Sequence, residues 1–163
     1  YGPVFTQLVD EGKITLEVRT ATFLNEANAK KGMNKGSSTR AARAAAAADV
    51  VGKYREYHEV VYKNQPEDEG TGYTDQQLRV DFPAQAGITD DALTQFQTLY
   101  DTGAMNTFAD AAAKTMYDNG VSETPTYTVE GKKIVFADPK SKQVLIEPNA
   151  DSILKGIETA KNS

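Results

Sequence analysis

The sequence predicts a mixed α/β domain, and three observations lead there. Helical periodicities fill most of the chain, period-two and β-rich runs mark its two ends, and a long helical block lies between them. At 163 residues, with 39% hydrophobic and 25% charged residues, the chain has the composition of one globular domain. No apolar run reaches the roughly 18 residues of a membrane-spanning helix. Eighteen basic against 23 acidic residues give a net charge of −5, which argues against a nucleic-acid partner, because phosphate binding needs clustered positive charge. The chain contains no cysteine, which excludes a disulfide framework, a thiolate zinc site and a cysteine nucleophile within these residues.

In order along the chain, residues 1–11 read as the tail of a helix. Val4, Phe5, Leu8 and Val9 sit at helical spacing, and Gly12 ends the run as a C-terminal glycine does. Residues 13–19 alternate apolar and polar, which predicts a strand with Ile14, Leu16 and Val18 on one face. Residues 25–38 are rich in Asn, Lys, Gly and Ser and predict a surface loop. Ser37, Ser38 or Thr39 is expected to cap the next helix, whose residues 40–48 are nearly all alanine and offer a small packing face. Gly52 is expected to bend or break that helix, after which Tyr54, Tyr57, His58, Val61 and Tyr62 continue an amphipathic stripe to about Asn64.

The acidic, glycine-bearing stretch 65–73 is a loop by its local chemistry. Three helices follow: 74–85, capped by Thr74; one from Thr89 or Asp90 to about Tyr100; and one from Asn106 or Thr107 to Asn119, stopped by Gly120. Residues 126–129 and 133–136 are β-rich and joined by Glu130, Gly131 and Lys132, a hairpin signal. Residues 144–146 suggest a further short strand. Asn149 or Asp151 then caps a last helix that buries Ile153, Leu154 and Ile157.

The segment GVSETPTYTVEGK, residues 120–132, resembles the place in thioredoxin-fold proteins where a helix ends, a Thr-Pro peptide is cis and a hairpin begins. DsbA-like proteins carry Gly-Val-x-x-Thr-Pro-Thr there, followed by a strand and a Gly-Lys turn. VDEGKITL (9–16) resembles the end of that family's active-site helix and its following strand. GKYREYHE (52–59) resembles the Gly-Lys-x-x-Glu-Tyr-His-Asp stretch of its helical insert, and DTGA (101–104) matches the insert's Asp-Ser-Gly-Lys turn more loosely.

The resemblance implies a thioredoxin-like fold with an inserted helical subdomain. Residues 1–24 and 120–163 would form the thioredoxin-like part and 25–119 the insertion, one domain overall. The first strand and the start of the active-site helix would be lacking. Pro125 would hold the preceding backbone as an unpaired edge for substrate polypeptide, and Thr124 would stand beside the active-site sulfurs. The Cys-x-x-Cys motif would lie upstream of Tyr1, two to three helical turns before Pro3, so no catalytic residue is expected within the chain. If the strand before the active-site helix is missing, its neighbours stand roughly 9–10 Å apart, twice the usual inter-strand spacing, and the sheet should collapse or borrow a strand.

On this resemblance the activity is dithiol–disulfide exchange in exported proteins, in an extracytoplasmic, secreted or membrane-anchored setting. The partners are unfolded or cysteine-containing polypeptides and a redox partner protein, with any membrane anchor encoded upstream and no cofactor or metal. The rivals are a redox-inactive thioredoxin-like module that binds peptides or proteins, and glutathione-dependent chemistry on the same fold.

Other residues have plainer readings. His58, the single histidine, has no accompanying strained serine turn or ligand spacing, so packing or capping is expected of it. Glu67, Asp68 and Glu69 lack the alternating ligands of a calcium loop. The mildly basic stretch 31–40 reads as a solvated loop. Tyr54, Tyr57, Tyr62 and Tyr73 are expected to pack between helices, or to line a peptide groove.

Overall fold

The computed structural model describes residues 1–25 and 36–163. Residues 26–35 of the loop expected over 25–38, and with them half of the basic stretch 31–40, lie outside the described residues, whereas residues 37–40 are helical and not the expected loop. The chain divides into two compact units, Arg19–Gly120 and the combination of Tyr1–Val18 with Val121–Ser163.

The second of these units is built from α1 (Gly2–Asp10), a hairpin of β1 (Tyr127–Val129) and β2 (Lys132–Ile134), and a C-terminal helix (Ala150–Lys161). α1 buries Phe5 and Leu8, and Gly12 after it takes a left-handed φ of +68°. In the hairpin Tyr127 pairs with Ile134 and Val129 with Lys132. Both turn residues have positive φ, Glu130 at +51° and Gly131 at +79°, as a two-residue type I′ turn requires. The C-terminal helix begins where Asn149 accepts a hydrogen bond from the Ser152 amide at 2.9 Å, a side-chain N-cap. Ile153 and Ala160 of that helix join Phe5, Leu8, Ile134 and Ile146 in one buried cluster.

The alternating run 13–19 does not form a strand, contrary to expectation. Alternation says which side chains would share a face, but a strand exists only where a second backbone supplies hydrogen bonds. Among the described residues the single sheet is β1–β2, and Leu16 and Val18 are left 42% and 45% exposed. The expected strand at 144–146 shrinks, for the same reason, to one isolated bridge between Val144 and Ala137. β2 also ends at Ile134, short of the expected 136.

The helical unit is organised around α2 (Ser37–Val50), against which α3 (Tyr54–Lys63), a π-turn (Gln77–Asp81), α5 (Asp90–Thr102) and α6 (Asn106–Asp118) pack. The alanine run explains that central position. Ala44, Ala47 and Ala48 are fully buried, and with no side chain beyond Cβ they let neighbouring helices approach. Gly52, at φ +70°, separates α2 from α3.

The cap of α2 is a correction. Its N-cap is Gly36, and none of Ser37, Ser38 or Thr39 caps it with its own side chain. Asn25 Oδ1 instead accepts from the amides of Ser38 (3.1 Å) and Thr39 (3.3 Å), a cap delivered from thirteen residues upstream in sequence. Thr74 does act locally. Its Oγ1 accepts from the Gln77 amide at 3.1 Å while Gln77 Oε1 accepts from the Thr74 amide at 2.9 Å, a reciprocal capping box.

The helix that Thr74 opens passes through the π-turn before α4 (Phe82–Gln85). Pro83 has no N–H to return to the preceding turn. The Arg79 carbonyl accepts from Gln97 Nε2 at 3.3 Å, and the Leu78 carbonyl accepts from the buried Tyr57 hydroxyl at 2.8 Å. Side chains from α3 and α5 thus complete a helix that its own sequence interrupts. Tyr57, Leu78, Phe82, Ile88 and Phe96 form the core around it.

Candidate functional site

The segment between α6 and β1 is short and tied to its own unit. α6 ends at Asp118, and Gly120, at φ +66°, turns the chain out of the helix. The Thr124–Pro125 peptide bond is cis. Thr126 Oγ1 donates to the Glu123 carbonyl at 2.6 Å, and Lys133 Nζ of β2 meets Glu123 Oε1 at 2.6 Å. That hydrogen bond from Lys133, with its charge, holds the Glu123 carboxyl below its usual range. Thr124 and Pro125 are both exposed.

Behind this turn the sheet face is aromatic. Tyr127 stacks on Phe5 with centroids 5.0 Å apart and planes 14° apart, and packs on Phe136 at 4.8 Å. Tyr1 meets Phe136 edge-on at 4.8 Å, and its hydroxyl donates to the Ile146 carbonyl at 2.5 Å. These contacts fix β1 from below.

The edge of β1 away from β2 carries no strand among the described residues. A cavity of about 260 Å³ opens there, lined by Phe5, Ile14, Leu16, Tyr127, Val129 and Lys161 among others. One wall is β1 and the other is the extended-pattern run 13–16. A strand edge beside an apolar trough can take an extended polypeptide through main-chain hydrogen bonds, with alternate side chains entering the trough. The described residues offer no thiol, so the chain by itself has no group that could form or break a disulfide.

The remaining sequence candidates lie elsewhere. His58 sits on α3 between Tyr54 and Tyr62, with ring centroids at 5.5 and 4.5 Å, and burial pushes its pKa down. It is a packing residue. Glu67, Asp68 and Glu69 are exposed, and among the described residues no group of three acidic or histidine side chains is placed to hold a metal. Tyr57 and Tyr73 pack in the core, whereas Tyr62 is 63% exposed.

A larger cavity, of about 490 Å³, lies within the helical unit and gathers Arg40, Arg43, Arg79 and Tyr100. Nothing in the local sequence singles these residues out. Arg40 and Arg43 share a helix face by their spacing, but Arg79 and Tyr100 join them only through the packing of separate elements.

A family model described as Thioredoxin matches residues 1–147. The chain belongs to the thioredoxin family. No curated protein and no solved structure matches it. The family membership makes this a thioredoxin-like domain, mostly helical with a small two-stranded sheet among the described residues, and the family suggests a redox-related function. Among the described residues, the exposed Thr124–Pro125 turn leads into β1, whose edge away from β2 carries no strand. The 490 Å³ cavity is larger, but it has no strand edge, and Arg79 on its wall is paired with Asp101.

Proposed function

We propose that this chain is the greater part of a DsbA-like thiol-disulfide oxidoreductase acting on exported polypeptides, with its Cys-x-x-Cys carried on sequence preceding Tyr1. One observation carries the reading: in a thioredoxin-family chain, Thr124 and Pro125 lead directly into a strand whose outer edge borders an apolar trough. The resemblance of residues 9–16, 52–59 and 120–132 to DsbA-like proteins supports the finer assignment.

In this reading β1 and the trough hold an extended substrate, and Thr124 and Pro125 shape the end nearest the reacting sulfurs. A substrate thiolate attacks the enzyme disulfide and a mixed disulfide forms. The second substrate thiolate then displaces the enzyme sulfur, leaving substrate oxidised and enzyme reduced. A redox partner protein reoxidises the dithiol. An active-site cysteine at a helix N-terminus is stabilised as thiolate by the free N–H groups and dipole there. The setting is an oxidising, extracytoplasmic compartment, reached as a secreted or membrane-anchored protein. No helix among the described residues is long and apolar enough to cross a membrane.

The absence of cysteine favours a second reading, a redox-inactive thioredoxin-like module that binds peptides or proteins at the same edge. The experiment that separates the two expresses the gene product with its native upstream sequence and measures oxidation of a reduced dithiol peptide, with the 163-residue chain as the inactive comparison. Turnover that disappears when an upstream cysteine is changed to serine supports the oxidoreductase. An upstream sequence without Cys-x-x-Cys, or no turnover, defeats it. Peptide binding that survives such a result would establish the module.

A further inference from the structure

The register of the hairpin fixes which main-chain groups β1 presents to the cavity of about 260 Å³. Glu130 and Gly131 form the two-residue turn, so Val129 and Lys132 close it as a hydrogen-bonded pair. Bonded and non-bonded pairs alternate along an antiparallel ladder. Tyr127 and Ile134 are therefore the next bonded pair, and Thr128, opposite Lys133, belongs to a non-bonded one. The Thr128 N–H and C=O accordingly point away from β2, on the edge where Thr128 lines the cavity. No main-chain group among the described residues pairs with them.

The side chains follow the same alternation. Tyr127 and Val129 are partly buried on the face that carries Phe5, while Thr128 is exposed on the other. Phe5, Ile14, Leu16, Ile134 and Ile157 extend the apolar lining. The two cations among the lining residues are engaged. Lys13 Nζ meets Glu11 Oε2 at 2.7 Å, and Lys161 Nζ meets Glu130 Oε1 at 3.2 Å. Beside Thr128 the trough thus combines an open main-chain donor and acceptor with walls that are apolar or charge-compensated.

We propose that the Thr128 main chain is the docking point that sets the register of a bound polypeptide, and that the segment taken is extended, with uncharged apolar side chains on both sides of the residue facing Thr128. The proposal rests on polypeptide binding at this edge, with or without redox chemistry. In either strand direction the residue facing Thr128 turns its side chain to the exposed face. Its two neighbours turn theirs to the Tyr127–Val129 face and enter the trough. A charged neighbour would be desolvated there with no partner to offset the cost. Main-chain pairing supplies the affinity, and the apolar–any–apolar pattern supplies the selectivity.

The test titrates the gene product, with its native upstream sequence, with acetyl-Ser-Val-Thr-Val-Ser-amide and follows the Thr128 amide by nitrogen–proton NMR. The signal is expected to shift saturably, and its exchange with deuterated solvent to slow at least about tenfold at saturation. Exchanging both valines of the peptide for aspartates should weaken binding at least about tenfold. Thr128→Pro deletes the docking N–H and spares the ladder to β2, because an outward-facing position on an edge strand tolerates proline. It should weaken the peptide at least about fivefold while the Tyr127 and Val129 amide signals keep their strand positions. A Thr128 amide unmoved by the peptide overturns the proposal. So does one already protected before peptide is added, which would mean that the protein's own chain occupies the edge. Peptide binding with the Thr128 shift but without disulfide turnover defeats the oxidoreductase and leaves the docking point standing, so the two failures are distinct.

Discussion

Tyr57→Phe isolates the contribution of one oxygen to the helical unit. The Tyr57 side chain is fully buried, its ring lies 5.5 Å from that of Phe96, and its hydroxyl donates to the Leu78 carbonyl at 2.8 Å within the π-turn. Phenylalanine keeps the ring and its packing, so the cavity cost of a large-to-small change does not arise. What remains is the hydrogen bond, worth about 1 kcal/mol net, rising to about 3 kcal/mol if the Leu78 carbonyl stays buried and unsatisfied. Urea unfolding followed by far-ultraviolet circular dichroism should show a loss of about 1–3 kcal/mol with an unchanged slope.

A pH series adds an independent check. Burial pushes the Tyr57 phenol far above its usual range. The folded chain keeps that proton where the unfolded chain releases it. The stability associated with it is therefore complete below the unfolded value of about 10 and is lost as pH rises beyond it. Tyr57→Phe removes that dependence, so its midpoint should fall less steeply in alkali, although Tyr54, Tyr73 and Tyr100 still contribute. A loss under about 0.5 kcal/mol, or an alkaline slope equal to that of the unmodified chain, would refute the reasoning.

Other expectations are as direct. Gly156 lies inside the C-terminal helix with Ile146 pressed against the space a Cβ would take. Gly156→Ala should therefore lose about 1 kcal/mol net, overpacking of about 1–3 kcal/mol outweighing a helix-propensity gain of about 1 kcal/mol. Adding Ile146→Val, which removes the crowding Cδ1, should restore stability in a double-mutant cycle; a single substitution that stabilises would show that Ile146 simply moves aside. Asn149→Ala deletes the cap on Ser152 and should lower the unfolding midpoint by the equivalent of about 1 kcal/mol, with Asn149→Gly costing only a few tenths. Hydrogen bonding from Arg79 holds the Asp101 carboxyl below its usual range. That stability is present above the unfolded pKa of about 3.9 and is lost as pH falls through the lower folded value. Asp101→Asn should remove the step from an acid stability profile, and a profile of unchanged shape would show that the pair is silent.

How far these features could be read from the sequence depends on how local their causes are. The Thr74–Gln77 box, the Asn149 cap and the Glu130–Gly131 turn each lie within a few residues, and the residue types alone specify them. The amphipathic helices were legible because their apolar spacing is set by one helical period. The strand expected at 13–19 was not decided by its own pattern, because its side chains alternate correctly while its pairing depends on a second backbone. The π-turn had one local sign, Pro83, but not the Gln97 and Tyr57 side chains that make it tolerable. At the edge site, Thr124 and Pro125 stood out by resemblance, whereas the trough beside β1 came from the meeting of residues 13–16 with a hairpin more than a hundred residues away.

The sequence by itself determined which segments are helical, where the hairpin turns, and that no thiol is present to carry out chemistry within these residues. Those properties follow from backbone preference, side-chain period and composition, which act over a turn or two of chain. Only the tertiary structure decided that Asn25 caps α2, that Tyr57 completes an interrupted helix, and that Arg79 grips Asp101. Each of these is a pairing between groups distant in sequence. Such a pairing depends on how folded elements stack, which short-range patterns do not encode.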